Sequence, residues 1–194
     1  MLQLDYPVVL ASGSPRRQEL LSQLVDGFLV DPADVDEDAL TVEDPWQTAK
    51  ILAREKALEV FARHPDSIVI GGDTVVAIEI EGVMTQLSKP VDEGDAARML
   101  GLLSGKTHEV LTGICIKWPK GISSFVERSE VTFAPMTDGQ IRSYIATGEP
   151  MDKAGAYGLQ GGARQYVTQI RGDADSVIGL PVGRVREALK EIRN

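Results

Sequence analysis

The order of its apolar segments constrains the fold of this chain more than any other feature of the sequence. At first, short apolar runs alternate with helical periodicity: a strand is predicted over residues 7–11, and a helix is predicted to begin at Ser14-Pro15. Farther along, two long strands over residues 107–118 and 124–133 follow each other directly, which is typical of a hairpin. This order predicts an α/β or α+β fold, in which helices flank a mixed, twisted sheet.

Capping signals and chain breakers mark the remaining segments. A long helix is predicted from Asp44 to about His64, because Asp44 is a suitable cap and a proline occupies the first turn. The acidic stretch over residues 31–44 and the glycine-rich stretch over residues 149–162 lack periodicity and are predicted as loops. Further helices are predicted over residues 92–103, 137–146 and 181–192, and further strands over residues 67–70, 75–80 and 166–170. We expect the 194 residues to form a single domain, residues 1–194, with a sizeable core.

Composition and charge exclude several classes of protein. The formal net charge is −9 and no block of five or six basic residues occurs, so no binding to a nucleic acid polymer is expected. No apolar run approaches about 18 residues and no secretory signal is visible, so we expect no membrane span and a cytoplasmic location. The one cysteine, Cys115, lies in an apolar run and is expected to be a buried thiol, which excludes a disulfide framework within the chain.

Residues 12–17 combine several groups that favour a phosphate. The sequence Ser-Gly-Ser-Pro-Arg-Arg lies between a predicted strand and a predicted helix, where free backbone N–H groups and the helix dipole attract an anion. Its hydroxyls and guanidinium groups add donors that bind phosphate well. The spacing of a Walker loop is absent, and the alternative is a capped helix with arginines on its surface. Ser12, Ser14, Arg16 and Arg17 are therefore candidate phosphate ligands.

Carboxylates and lysines in other segments can complete such a site. Asp73, within Gly71-Gly72-Asp73-Thr74, follows a short apolar strand, where a carboxylate can bind Mg²⁺ or activate a water; the alternative is an ordinary turn. Glu37 can share a metal with Asp73, and the alternative is a solvated surface residue. Lys89 precedes a proline that keeps it extended, within reach of a phosphate or simply at the surface. Lys56 lies close to the apolar face of its predicted helix and is not expected to face solvent fully.

The segment over residues 152–162 is rich in glycine and alanine. Small residues let a ligand approach the backbone closely, and a structureless stretch inside a compact domain is usually functional or disordered. The absence of a charge block or a proline repeat favours the functional interpretation. Lys153 and Gln160 are the polar side chains here that can contact a ligand.

Taken together and in this order, these segments resemble the Maf family of nucleoside triphosphate pyrophosphatases. The resemblance covers nearly the whole chain, although residues 77–88 form a longer stretch than the compact turn that usually precedes Lys-Pro in that family. The matching segments are LASGSPRR (10–17), AREKA (53–57), GDTVV (72–76), KP (89–90), LSGKTH (103–108), DKAGAYGLQG (152–161) and GLP (179–181).

The resemblance implies both a fold and an activity. The fold is an elongated, two-lobed α/β structure like that of the ITPases, with a mixed twisted sheet, flanking helices and a central cleft. The activity is cleavage between the α- and β-phosphates, which yields a nucleoside monophosphate and pyrophosphate. Residues 16–17 and 157–160 are similar to the branch that acts on dTTP, UTP and modified pyrimidine nucleotides.

The resemblance also implies roles for individual residues. Asp73 would activate the water, Lys56 and Lys89 would neutralise charge on the triphosphate, and Glu37 with Asp73 would hold a divalent metal, Mg²⁺, Mn²⁺ or Co²⁺. Ser14, Arg16 and Arg17 would bind phosphates, and Gln160 would contact the base or position the nucleotide. Beside these, the candidate substrate-binding residues include Ser12, Thr74 and Lys153.

Two alternatives remain open at the level of the sequence. The same cationic groups would serve a nucleotide-binding regulator, for instance of cell division, with little turnover. An enzyme with the same clamps could instead act on 7-methyl-GTP or another methylated or purine nucleotide. A homodimer is a further expectation from the resemblance.

Overall fold

A mixed seven-stranded sheet forms the frame of the protein, whose computed structural model describes residues 1–192. β1 runs parallel to β2 and β3, and the other neighbouring strands are antiparallel, so the predicted mixed sheet is confirmed. The order across the sheet is β2-β1-β3-β5-β6-β7, and β4 pairs with the second half of β3. The strands are β1 (Val8–Leu10), β2 (Leu29–Val30), β3 (Ile68–Ile80), β4 (Val83–Leu87), β5 (Thr107–Trp118), β6 (Gly121–Phe133) and β7 (Val167–Arg171).

Helices flank this sheet, and their first residues are capped as the sequence predicts. The Ser14 side chain accepts a hydrogen bond from the Arg17 amide, and the Asp44 side chain accepts from the first turn of the long helix. The long helices are confirmed within one or two residues, whereas the second and sixth helices were not predicted. The helices are α1 (Pro15–Leu21), α2 (Glu37–Leu40), α3 (Pro45–Arg63), α4 (Glu93–Leu103), α5 (Asp138–Ile145), α6 (Ala174–Ile178) and α7 (Val182–Ile192).

β3 corrects the prediction of two short strands separated by a turn. It runs unbroken through Gly71-Gly72-Asp73-Thr74, because β5 pairs with every one of these residues and this tertiary pairing overrides the local preference of Gly-Gly-Asp for a turn. Asp73 therefore lies in the middle of a strand rather than at its end. The first glycine is needed for close packing, since a Cβ at Gly71 would clash with the Ala53 carbonyl oxygen of α3.

The turn lies ten residues farther along. Glu81 and Gly82 have positive φ values of 52° and 80° and join β3 to β4 as a two-residue hairpin, with Ile80 opposite Val83. The longer stretch over residues 77–88 is thus the end of β3 and the whole of β4. Residues 149–166, predicted as a loop up to residue 162, contain short 3-10 turns over Glu149–Asp152, Ala154–Ala156 and Gly162–Tyr166.

A gap in strand pairing along one edge of β3 creates the opening for a site. β1 pairs with residues 68–70 and β4 pairs with residues 76–80, so residues 71–75 have no strand neighbour on that edge within the described part of the chain. On the two sides of the gap lie separate hydrophobic cores. One contains Leu10, Leu21, Ile70, Ile114 and Val185, and the other contains Val76, Leu100, Phe133, Tyr144 and Ala156. Two cores with an opening between them agree with the two-lobed fold that the resemblance implies.

Across residues 1–192, no helix combines the length and the apolar character that crossing a membrane requires.

Candidate active site

A cavity of about 870 Å³ occupies the gap beside β3. Its walls come from the first turn of α1, from α2 and α3, from the middle of β3, from the end of β4 and from the 3-10 turns that precede β7. The structure brings all eleven residues singled out in the sequence to this one cavity: Ser12, Ser14, Arg16, Arg17, Glu37, Lys56, Asp73, Thr74, Lys89, Lys153 and Gln160.

A lysine between two carboxylates forms one wall of the cavity. Lys56 lies on the face of α3 that packs on the sheet, and its Nζ is 2.7 Å from Asp73 Oδ1 and 2.7 Å from Glu37 Oε1. The side chains of Lys56 and Asp73 are only 11% and 13% exposed, whereas that of Glu37 is 46% exposed. Because burial weakens solvation and strengthens attraction between charges, this ammonium group is held firmly and the two carboxylates are oriented by it.

The pKa of Glu37 reflects the cations around it. Partial burial alone would raise this pKa, but the hydrogen bond from Lys56 and the positive charges of Lys56, Lys89 and Arg17 outweigh that effect. The pKa of Glu37 therefore lies below its usual value, and the carboxylate is charged at neutral pH.

Glu37 and Asp73 also provide the donor set for a divalent cation. Within residues 1–192, no cluster of three or more His, Cys, Asp or Glu residues is arranged to hold a metal ion by itself. Two carboxylates nevertheless fit a hard cation such as Mg²⁺, which commonly takes one or two protein carboxylates and completes its coordination with water and substrate phosphates. The residues present therefore fit a metal that binds together with a phosphorylated ligand.

Arg17 is anchored by three separate parts of the chain. Its Nε donates to the Gly179 carbonyl at 2.9 Å, its Nη1 to Ser12 Oγ at 3.1 Å and its Nη2 to Thr74 Oγ1 at 3.1 Å. Burial lowers the pKa of Arg17, and the nearby charge of Asp73 opposes this shift. A guanidinium group has five N–H donors, so two of them remain for a ligand.

Arg16 and Lys89 differ from the other cations of the cavity because neither forms a hydrogen bond or an ion pair with a side chain of residues 1–192. Lys89 is nevertheless well placed, since the Gly155 amide donates to the carbonyl of the preceding Ser88 at 3.2 Å and a proline follows Lys89. These two side chains are the cations of the cavity that are available to an incoming anion.

The glycine-rich wall presents one engaged and one available side chain. Lys153 Nζ donates to the Glu149 carbonyl and to Asp152 Oδ1, each at 2.6 Å, so its charge is largely used within its own segment. Gln160 is exposed at the cavity and forms no hydrogen bond with the described residues. Gln160 is therefore the better placed of the two for a direct contact with a ligand.

Two contributions to the site were missed in the sequence. Tyr157 lines the cavity, and its hydroxyl is 2.7 Å from Nε2 of the buried His108. Thr112 lies behind the cavity on β5, fully buried, with its Oγ1 3.0 Å from Thr74 Oγ1. A polar residue at the centre of an apolar strand was the available signal, because buried polar groups are uncommon and require partners.

Comparison with known proteins gives a consistent result along nearly the entire chain. Residues 7–192 match the family described as Maf-like protein. The dTTP/UTP pyrophosphatase of Koribacter versatilis is 49% identical over 187 residues, which is 96% of this chain and 95% of that protein. The proteins of the same name from Halalkalibacterium halodurans and Symbiobacterium thermophilum are 44% and 45% identical, over 95% of this chain and 95% and 93% of their own lengths.

Proposed function

The chain belongs to the Maf family, and on that premise we propose that it is a dTTP/UTP pyrophosphatase. It cleaves the bond between the α- and β-phosphates and releases a nucleoside monophosphate and pyrophosphate. Support comes from relatives that carry this name and match at 44–49% identity over about 95% of the chain.

One observation carries the proposal at the level of the site. The eleven candidate residues come from segments far apart in the sequence, yet all of them line one cavity at the open edge of β3. A chain with a net charge of −9 repels a triphosphate over most of its surface, so binding requires local cations. Arg16, Arg17, Lys56 and Lys89 supply them in this cavity.

The four cations divide into two kinds. Arg16 and Lys89, which have no charged partner in contact among residues 1–192, bind the phosphate oxygens directly. Arg17 contributes its two remaining N–H donors, and Lys56 holds the two carboxylates in place. Such a preorganised set stabilises the charge that develops on the departing pyrophosphate. Gln160 contacts the base or positions the nucleotide.

Asp73 is the residue that activates the water. Its Oδ1 accepts a hydrogen bond from Lys56, which orients the carboxylate and leaves the other oxygen to accept a proton from the water that attacks the α-phosphorus. Glu37 and Asp73 would hold a divalent metal, Mg²⁺, Mn²⁺ or Co²⁺. When bound, such an ion would neutralise charge on the triphosphate.

A substrate panel tests the proposed activity. dTTP, UTP, their modified forms and 7-methyl-GTP are each incubated with the protein and each of the three metals, and the products are separated by ion-exchange chromatography. We expect the highest kcat/KM with dTTP and UTP, and monophosphate plus pyrophosphate as products. A preference for 7-methyl-GTP, or release of a diphosphate and orthophosphate, would contradict the proposal. Binding without turnover would favour the regulator instead.

Two further expectations accompany the proposal. A homodimer is expected from the family resemblance, and sedimentation of the purified protein tests it. Limited proteolysis tests whether residues 1–194 behave as one domain, since a single domain should resist cleavage as a unit.

A further inference from the structure

Thr112 links the active site to α6, which packs against β5 and β6. It lies opposite Thr74 in the antiparallel pairing of β3 and β5, and it is completely buried. Its Oγ1 donates to the Ser176 carbonyl in α6 at 2.8 Å and lies 3.0 Å from Thr74 Oγ1. Thr74 Oγ1 in turn accepts from Arg17 Nη2 at 3.1 Å. Three side chains and one carbonyl thus form a continuous chain of hydrogen bonds.

The direction of every bond in this chain is determined by the number of available protons. A carbonyl has no proton, so the single hydroxyl proton of Thr112 points to Ser176. The proton between the two threonines must then come from Thr74. Arg17 can only donate, so Thr74 accepts from it. The order of donation is therefore Arg17 to Thr74, Thr74 to Thr112, and Thr112 to the Ser176 carbonyl.

This direction limits what Thr74 can do. Its only proton points into the sheet towards Thr112, so its hydroxyl has none to donate to a phosphate. What it offers the cavity is an acceptor, and Arg17 uses it. In the structure the Thr74 hydroxyl supports Arg17, and a direct contact between Thr74 and the nucleotide stays a prediction.

We propose that Thr112 is a positioning residue of the active site, which acts through Thr74 to fix the Arg17 guanidinium group against the triphosphate. The inference rests on the proposed function. Without Thr112, the Thr74 hydroxyl can rotate its proton towards the cavity, and Arg17 loses the fixed acceptor of one of its three anchors. A shift of about 1 Å in a charged group that contacts the reacting phosphates is enough to lower a rate by up to about 100-fold.

The test is a cycle of variants measured by kcat/KM for dTTP. Thr112→Val keeps the branched shape and removes the hydroxyl, and we expect a decrease of about 10- to 100-fold. Thr112→Ser restores the hydroxyl and should remain within about 3-fold of the wild type. In an Arg17→Lys background, Thr112→Val should cause little further decrease, since a lysine cannot use the same three anchors. Equal decreases in both backgrounds would overturn the inference, because Thr112 would then act independently of Arg17.

Ser129→Ala provides a matched control for loosening of α6. Ser129 is also buried, and its Oγ exchanges hydrogen bonds with the backbone of Asp173, which caps α6, but it does not line the cavity. We expect this variant to lose stability in urea while retaining kcat/KM. A loss of activity as large as that of Thr112→Val would show that anchoring of α6, rather than the bond to Thr74, is what matters, and would overturn the inference.

Thr74→Val interrupts the same chain from the cavity side and serves where Thr112→Val does not fold. The decrease in kcat/KM caused by Thr74→Val should also largely disappear in the Arg17→Lys background. If Thr74 instead bound the phosphate directly, Thr74→Val would lower kcat/KM in the wild-type and in the Arg17→Lys background alike. If the wild type binds dTTP without hydrolysing it, the proposed function fails, and the same cycle measured as Kd for dTTP by calorimetry still decides the role of Thr112. Absence of dTTP binding as well would contradict both.

Discussion

Replacing Lys56 by methionine tests whether the two carboxylates of the active site depend on the ammonium group between them. Methionine keeps an unbranched side chain that packs well in irregular spaces, and it removes the charge. In the wild type, Nζ lies 2.7 Å from both Asp73 Oδ1 and Glu37 Oε1. The variant therefore leaves two carboxylates facing one wall of the cavity without the cation that neutralises them.

The size of the effect follows from the exposure of the partners. Removing one member of a buried ion pair costs about 3–5 kcal/mol, and losing a hydrogen bond to a charged group costs about 1.5–3 kcal/mol. The side chain of Asp73 is 13% exposed, so the loss of its ion pair should cost a free energy near the lower end of the range for a buried pair. The side chain of Glu37 is 46% exposed, so solvent screening reduces the cost of losing its ion pair. We expect the free energy of unfolding to fall by about 2–3 kcal/mol at neutral pH.

The effect has a predictable dependence on pH. Glu37 has a lowered pKa in the folded state, so its contribution to stability is present above the unfolded pKa and is lost as the pH falls through the folded pKa. In Lys56→Met the main opposing cation is absent, so the pKa of Glu37 should be higher than in the wild type. The difference in stability between wild type and variant should therefore be largest near pH 7 and shrink below about pH 4.

Urea unfolding followed by fluorescence measures both quantities. Lys50→Met is the matched control, since Lys50 lies exposed on the same helix and forms no ion pair with the described residues; it should change stability by less than about 0.5 kcal/mol. A Lys56→Met effect that is the same at pH 7 and at about pH 4, or as small as that of the control, would refute the reasoning.

Three other perturbations give separate expectations. Arg16→Ala and Lys89→Ala should each raise KM for dTTP by about 10-fold or more and change the free energy of unfolding by less than about 0.5 kcal/mol, because neither side chain forms a hydrogen bond or an ion pair with a side chain of residues 1–192. A midpoint shift without a KM change would contradict that role. Gly155→Ala should lower the free energy of unfolding by about 2–4 kcal/mol, since φ is +68° and the new Cβ would lie 2.8 Å from Val76 Cγ1; a neutral effect in urea would be inconsistent with this contact. Burial lowers the pKa of His108 to about 4 in the folded state. Between that pH and about 6.5, His108 is protonated in the unfolded chain but not in the folded protein, so the free energy of unfolding should rise with pH over this interval. His108→Gln should reduce that rise by up to about 3 kcal/mol in urea titrations, and an unchanged slope would exclude His108 as its source.

Local signals explain which parts of the fold were predictable from sequence. α3 was predicted almost to the residue because Asp44, Pro45 and the pattern that follows all agree with one helix. β3 was divided in two because Gly71-Gly72-Asp73-Thr74 has the composition of a turn, and only its pairing with β5 makes it a strand. The short helix α6 lies next to β5 and has too few residues for its own periodicity to reveal it.

The candidate site was predictable as a set of residues but not as a network. Hydroxyls, arginines, lysines and carboxylates of the right chemistry are visible in the chain, and the structure places them around one cavity. Which cations are engaged depends on distances across the fold: Arg17 is anchored to Gly179, 162 positions away, whereas the adjacent Arg16 is not. Thr112 has no neighbour in sequence that would connect it with Arg17, because the connection runs through the register of β3 and β5.

The most direct test of the central claim is the turnover of Asp73→Asn with dTTP, measured as pyrophosphate release alongside the Kd for dTTP. Asparagine preserves the shape of the side chain and cannot accept the proton of the attacking water. We expect kcat to fall by at least about 100-fold, within the range that positioned general bases contribute, while dTTP still binds. A variant that releases pyrophosphate as fast as the wild type would contradict the assignment of this cavity and of Asp73 as the place where dTTP is hydrolysed.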